Sequence, residues 1–237
     1  MRFGRLSEKS KELITTNVSS SKPARDLISS THVVGLRKKA DEINELICEK
    51  LPLSEESLGP FVSAAMDMIN HSILNRDEDF HFNHHTNLPK RVTLQEGAKV
   101  MFLNNKLFDH GICNGTVGVV TRIIDHQNVE VTFPTAHDIA KVTVQKEISY
   151  FDVNGSPASR QQFPLQNALT LTVYKTQGLT LPHATVSVDE GMFAPGQAYV
   201  AMSRASSWGS LEILDFDFCV KTDHSVIQKY ARLKKRS

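Results

Sequence analysis

The sequence has 237 residues, of which 40% are hydrophobic and 22% charged, and its 27 basic and 26 acidic residues leave a formal net charge of +1. This ordinary globular composition excludes a wholly disordered or fibrous chain. No apolar run approaches the roughly 18 residues of a membrane-spanning helix, and the first residues lack the apolar core of a secretory signal. The three cysteines include no CxxC pair, which indicates free thiols in a reducing compartment. We therefore expect an intracellular protein without a membrane segment.

The first part of the chain has the pattern of an α/β unit. Residues 5–16 have helical character, and the mostly polar residues 17–22 predict a loop. Residues 31–36 are rich in β-branched side chains and predict a strand. A helix is predicted over 37–51, with Pro52 ending it, because four apolar residues share one helical face. A strand that leads directly into a helix is half of a βαβ unit, from which parallel sheets are built.

The middle of the chain changes to a β-rich pattern. Residues 61–70 fit a helix or a strand, and the polar, histidine-rich residues 75–89 predict a loop. Several strands follow, separated by short gaps that carry turn residues. The predicted strands are 99–104, 115–124, 128–133 and 142–150. Short strands at such close spacing favour a small antiparallel barrel.

Three histidines, His81, His84 and His85, lie in the predicted loop. A zinc site would need a fourth ligand on a defined scaffold, and no cysteine lies nearby. We therefore expect no metal site.

The α/β pattern returns in the last third of the chain. An apolar, threonine-rich run at 168–173 precedes predicted strands at 184–189 and 211–214, with a predicted helix at 196–205 between them. We expect core packing for Trp208. The economical architecture is one α/β layer interrupted by a β-rich insertion.

The end of the chain is basic. Residues 221–237 contain six basic side chains and one acid, and a terminal helix is predicted from Asp223 onward. Such a tail is a solvated chain end, an arm that contacts phosphates or a nuclear localisation signal, and the sequence leaves these alternatives open.

The sequence contains no phosphate-binding loop of the form G-x-x-x-x-G-K-[ST]. Asp189 and Glu190 follow a predicted strand, but no such loop accompanies them to build a magnesium site. These 237 residues therefore offer no glycine loop of the usual kind for the β- and γ-phosphates of a nucleotide.

Two segments carry the strongest functional pattern. Residues 168–181 contain TVYKTQGLTL, and residues 196–204 read GQAYVAMSR. They resemble motifs V and VI of superfamily 1 DNA helicases of the Pif/RecD type, including the Helitron-associated branch. Met202 stands where that family usually has Leu, and Tyr174 stands where it usually has His.

Three further segments extend the resemblance over nearly the whole chain. RFGRLS at 2–7 resembles the stretch after the family's motif IV, and THVVGLRKKADEIN resembles its next strand and helix. LPKRVTLQEGAKVMFLNN, followed by NGTVGVV, resembles the entry into the family's β-rich insertion. Each segment by itself is weak evidence for the family, whereas the ordered set of segments is specific to it.

The resemblance implies an α/β fold with a RecA-like parallel sheet, interrupted by a small antiparallel β-barrel insertion. Residues 1–60 and 161–220 would form the second RecA-like motor domain, 61–160 the insertion and 221–237 the basic tail. The implied protein is an ATP-dependent 5′–3′ DNA helicase of DNA repair, recombination and telomere maintenance, in the nucleus or mitochondria. We expect this chain to lack the first motor domain. ATP and Mg²⁺ would bind only when that domain is paired with this chain, either in the same polypeptide or as a separate one.

Arg204 matches the family's arginine finger. A guanidinium at the γ-phosphate stabilises the charge that develops during hydrolysis. By residue type alone, the alternative is an arginine in a surface ion pair. Gln197 and Tyr199 match the same motif, and core packing is the alternative for Tyr199.

The resemblance also assigns residues to the nucleotide and to DNA. Gln177, Gly178 and Thr180 match the turn that faces the nucleotide, and Gly178 allows backbone to approach a phosphate closely. Tyr174, Lys175 and Thr176 match positions near DNA. Lysine suits phosphate as a mobile point charge, whereas Tyr174 either stacks on a base or simply packs.

Two other functions remain open. The chain fits a non-enzymatic module that binds single-stranded DNA, or a helicase remnant, through its insertion and basic tail. It also fits a subunit that assembles in trans with a chain carrying the phosphate loop.

Overall fold

A computed structural model describes residues 6–20, 30–52, 59–70, 72–74, 82–135, 138–218 and 221–234. The helices are α1 (Glu8–Ser20), α2 (Arg37–Lys50), α3 (Phe82–His85), α4 (Gln197–Met202) and α5 (His224–Lys234). The strands are β1 (Thr31–Val34), β2 (Phe61–Ala64), β3 (Met66–Ile69), β4 (Ser72–Ile73), β5 (Arg91–Leu94), β6 (Lys99–Phe102), β7 (Val117–Ile123), β8 (Asn128–Pro134), β9 (Ile139–Gln145), β10 (Glu147–Val153), β11 (Ser156–Gln162), β12 (Leu165–Asn167), β13 (Thr170–Thr172), β14 (Ala184–Val188) and β15 (Leu211–Phe216). Among the residues described, no helix is long and apolar enough to cross a membrane.

The chain forms two compact units. Unit 1 comprises residues 1–43 and 169–237, and unit 2 comprises residues 44–168. Unit 1 contains a four-stranded sheet in the order β13-β1-β14-β15, in which all neighbouring strands are parallel. Unit 2 contains antiparallel sheets. The predicted fold class, a RecA-like parallel sheet interrupted by a β-rich insertion, is confirmed.

The parallel sheet is the centre of the core of unit 1. Val33 of β1 is in register with Leu171 of β13 and Val186 of β14. All five residues of β14 are buried, as expected for a parallel strand covered on both faces. The carboxyl ends of the four strands lie at the same edge of the sheet, which is where open α/β sheets bind their ligands.

Helix α1 is fixed against β15 by Asn17. The Asn17 side chain donates to the carbonyl of Leu211 at 2.9 Å and accepts from the amide of Ile213 at 2.8 Å. The predicted loop at 17–22 is therefore wrong for residues 17–20, which belong to the helix. Residues 2–5, which contribute to one of the resembling segments, and residues 21–29 lie outside the described residues.

Unit 2 has a five-stranded antiparallel sheet in the order β12-β6-β7-β8-β9. Strand β8 alternates regularly between inward and outward side chains, and it places Val129, Val131 and Phe133 in the core. The segment 61–70, which fitted a helix or a strand, forms β2 and β3. These strands belong to two further sheets, with orders β2-β5 and β10-β11-β3-β4.

The strand predicted at 142–150 is two strands in different sheets. β9 ends at Gln145 and β10 begins at Glu147. At the change of sheet, the Lys146 ammonium lies 5.3 Å from the ring centroid of Phe163, and partial burial lowers the pKa of Lys146. The β10–β11 hairpin turns at Asn154 and Gly155, both at positive φ, as the Asn-Gly pair predicts.

A fully buried arginine ties two parts of unit 2 together. Arg160 of β11 donates from Nε and Nη2 to the two carboxylate oxygens of Asp67 on β3, at 2.7 and 2.6 Å. Its Nη1 donates to Asn83 at 2.8 Å and to the carbonyl of Leu88 at 3.2 Å. The segment that carries α3 is thereby bound to the β10-β11-β3-β4 sheet.

Candidate functional site

The segment after β13, residues 173–181, is called the Gly178 loop here. It begins with a single 3₁₀ turn, Val173–Thr176. The buried hydroxyl of Thr176 donates to the carbonyl of Val173 at 2.8 Å. Gly178 has a φ of +82°, which favours glycine, and a Cβ placed there would meet nothing within 4 Å. The loop therefore has a fixed start and an open backbone surface at Gly178.

The end of this loop pairs with the segment after α4. The amide of Leu181 donates to the carbonyl of Arg204 at 2.8 Å, and the amide of Ser206 donates to the carbonyl of Leu181 at 3.2 Å. These two bonds form a short parallel bridge between Leu181 and Ala205. The two segments that carry the helicase-like motifs are thus joined directly.

The half-buried side chain of Arg204 faces the Gly178 loop. Its Nη1 donates to the carbonyl of Leu179 at 3.2 Å, its Nε to the carbonyl of Val200 at 3.1 Å and its Nη2 to the hydroxyl of Ser203 at 3.0 Å. All three acceptors are neutral. Arg204 forms no ion pair within the described part of the chain, so its charge is not neutralised there. A guanidinium held in this way can exchange a neutral acceptor for an anionic oxygen.

The predicted nucleotide residues are divided between surface and core. Gln177, Gly178 and Thr180 are exposed on the loop. Gln197, in contrast, is only 4% exposed, and its Oε1 accepts from the amide of Ala194 at 2.9 Å. In the described structure its Nε2 has no hydrogen-bond partner. Gln197 holds the segment that leads into α4 and does not present its side chain to solvent.

The predicted DNA residues are divided in the same way. Tyr174 is 53% exposed and Lys175 is exposed, whereas the side chain of Thr176 is completely buried. The hydroxyl of Thr176 is therefore not available at the surface, and its role in this arrangement is to hold the turn. Tyr199 on α4 is 43% exposed, which contradicts core packing.

No protein-family model matches the chain. Over 147 residues, or 60% of this chain, it is 36% identical to the ATP-dependent DNA helicase PIF1 of Rattus norvegicus.

This chain resembles the Pif1 helicases.

Solved Pif1 structures share its fold. The crystal structure of Pif1 helicase from Candida albicans superposes with a TM-score of 0.80 at 24% identity, covering 99% of this chain and 56% of that one. The crystal structure of Pif1 helicase from Bacteroides in complex with ADP-AlF3 and ssDNA superposes with a TM-score of 0.72 at 18% identity, covering 98% of this chain and 51% of that one. This chain spans 22% of the rat helicase, so it resembles one part of a Pif1 protein.

A second loop near the site was not identified from the sequence. Residues 189–194, called the Phe193 loop here, follow β14. An ideal Cβ on Gly35 would lie 2.0 Å from the carbonyl oxygen of Gly191, so only glycine at position 35 allows this close approach. The amide of Gly191 donates to the Asp189 carboxylate at 2.9 Å, and Asp189 also pairs with Lys39. The sequence shows Gly35 and Gly191, but it does not show that they are in contact.

The Phe193 loop borders a pocket of about 160 Å³ at the end of β14. Three acidic residues and one basic residue contribute its charged lining: Asp189, Glu190, Asp217 and Lys221. An excess of carboxylates does not suit phosphate, so this pocket is a poor site for the phosphates of a nucleotide.

The remaining residues singled out in the sequence lie elsewhere. Trp208 is 47% exposed on a short 3₁₀ helix, so the prediction of core packing is wrong. His85 stacks on Phe151, with 5.6 Å between ring centroids, and no metal-binding cluster occurs within the described residues; His81 lies outside them.

Burial, with Glu45 and Glu49 nearby, raises the pKa of the Cys48 thiol to about 11, as expected for an unreactive structural cysteine.

Proposed function

We propose that this chain forms the arginine-bearing part of an ATP-driven DNA helicase motor of the Pif1 type. The observation that carries the proposal is the Arg204 guanidinium, which lies against the Gly178 loop with three neutral acceptors and no ion pair among the described residues. The relatives support it, since the rat protein that this chain resembles is an ATP-dependent DNA helicase.

Phosphoryl transfer explains why an uncompensated guanidinium is useful at this place. Negative charge develops on the transferred phosphoryl group and is stabilised by a cation that is already in position. An arginine supplied by a second domain is commonly worth about 10³ to 10⁵ in turnover. The carbonyls of Leu179 and Val200 hold Arg204 in place, and they are weak enough to yield to a phosphate oxygen.

The nucleotide needs a second part that these 237 residues do not contain. Because the sequence has no G-x-x-x-x-G-K-[ST] loop, ATP and Mg²⁺ would bind only when a first motor domain is supplied in cis or in trans. We expect the 237-residue polypeptide alone to hydrolyse no ATP.

Single-stranded DNA is the proposed polymer substrate. The Bacteroides Pif1 crystal structure is a complex with ADP-AlF3 and ssDNA, and the exposed Tyr174 and Lys175 of this chain lie at the start of the Gly178 loop. Lysine provides a phosphate contact, and an exposed aromatic ring provides a stacking surface.

The purified 237-residue polypeptide tests both parts of this proposal. Phosphate release should stay at background with or without single-stranded DNA. Fluorescence anisotropy with a labelled oligonucleotide should show binding that weakens as salt rises and does not change on addition of ATP. ATP turnover that disappears in Arg204→Ala would contradict the need for a second part, and failure to bind at low salt would contradict the DNA assignment.

A further inference from the structure

The backbone on both sides of Phe193 is firmly held. Met192 is 7% exposed in the core of unit 1, and its amide donates to the carbonyl of Asp189 at 3.0 Å. On the other side, the amide of Ala194 donates to the buried Gln197 at 2.9 Å. The contact between Gly35 and Gly191 holds the start of the same loop. The position of Phe193 is therefore set by its neighbours on both sides.

The ring of Phe193 nevertheless points outward. It is 53% exposed, as is the ring of Tyr174, and the two ring centroids are 6.5 Å apart with an interplanar angle of 46°. Tyr174 follows β13 and Phe193 follows β14, so two parallel strands deliver the rings to the same edge of the sheet. Leaving this much aromatic surface in water forgoes the stabilisation that burial provides.

We propose that Tyr174 and Phe193 form one stacking site for a nucleobase of single-stranded nucleic acid. The inference rests on the proposed function and adds a residue, Phe193, that lies outside the two helicase-like motifs. A tilted pair of exposed rings offers π surface to any base, so recognition would be independent of sequence.

The surrounding charges orient the bound strand. Lys175 is exposed next to Tyr174 and can contact a phosphate, whereas the exposed Glu190 on the Phe193 loop repels phosphate. Asp189 contributes less repulsion because it pairs with Lys39. The sugar–phosphate backbone should therefore run on the Lys175 side, with a base reaching toward Phe193.

Binding of a labelled oligothymidylate to the 237-residue chain tests the pair. Phe193→Ala and Tyr174→Ala should each weaken binding about tenfold. The double variant should lose less than the product of the two effects, because both rings contact the same base. Phe193→Trp should retain binding. Phe108→Ala is the matched control, since Phe108 is an exposed phenylalanine of unit 2 and should bind like the parent.

An abasic oligonucleotide of the same length separates stacking from phosphate contacts. The parent and Phe193→Ala should bind this probe equally weakly. Equal affinity of the parent and Phe193→Ala for oligothymidylate, or an equal loss in Phe108→Ala, would overturn the stacking site and leave the proposed function intact. If the parent bound neither probe, the DNA part of the proposed function would fail together with the stacking site.

Discussion

At the residue scale, Arg204 and Arg160 show how different burial and different partners place one side-chain type in two environments. Arg160 is completely buried, and Asp67 occupies two of its donors. Arg204 is half-buried and bonds only neutral acceptors. A paired and buried charge serves the fold, whereas a positioned charge without a counter-ion can serve an anionic ligand.

Arg160→Ala should lower the free energy of unfolding by about 3–5 kcal/mol, because it leaves the Asp67 carboxylate without its partner in a largely buried place. Urea denaturation measures the change. The control is Arg91→Ala, which removes an exposed pair with Glu45 at 3.5 Å and should cost less than about 1 kcal/mol. Equal losses in the two variants would show that the buried network does not stabilise unit 2.

The Arg160–Asp67 pair could not be predicted from the sequence. The two residues are 93 positions apart, and only the pairing of β11 with β3 brings them together. In contrast, Arg204 could be proposed from the sequence because its immediate neighbours form a motif. Local patterns identify residues whose function depends on adjacent sequence, and they miss contacts created by strand pairing.

At the scale of elements, the parallel strands were the most predictable parts of the fold. The strand expected at 184–189 is found as β14, Ala184–Val188, because a short apolar run flanked by turn residues fits a buried strand. The change of sheet at Lys146 was missed because apolar residues occupy the same alternate positions of the sequence on both sides of it, at Val142 and Val144 and again at Ile148 and Tyr150. Trp208 was misplaced because hydrophobic character alone does not show which rings remain at the surface.

Gly35→Ala tests the contact that positions the Phe193 loop. The new Cβ would fall 2.0 Å from the carbonyl oxygen of Gly191 and 2.8 Å from the amide nitrogen of Met192. The backbone must then move, at a cost of about 1–3 kcal/mol by analogy with overpacked cores. Thermal or urea unfolding checks this. Gly209→Ala is the control, since its Cβ would meet nothing within 4 Å, and a Gly35→Ala variant as stable as this control would contradict the contact.

At the scale of the whole molecule, the sequence was sufficient for the fold class and for the two motif segments. It was not sufficient to place Thr176 and Gln197, which match the helicase-like motifs but are buried. A match to the motif does not show whether a side chain is buried, and only the packed structure separates the buried side chains from the exposed ones. Here Tyr174 and Lys175 are exposed, and Arg204 is half-buried.

The role proposed for Arg204 is tested most directly in a chimera, in which this chain replaces the matching segment of the rat PIF1 helicase. The measurement is DNA-stimulated ATP hydrolysis. The chimera should hydrolyse ATP, and Arg204→Ala should lower its turnover about 10³-fold or more. Arg122→Ala, which removes an exposed arginine of unit 2, should leave turnover unchanged. A chimera without hydrolysis, or one whose hydrolysis survives Arg204→Ala, would contradict the proposal that this guanidinium acts on the nucleotide.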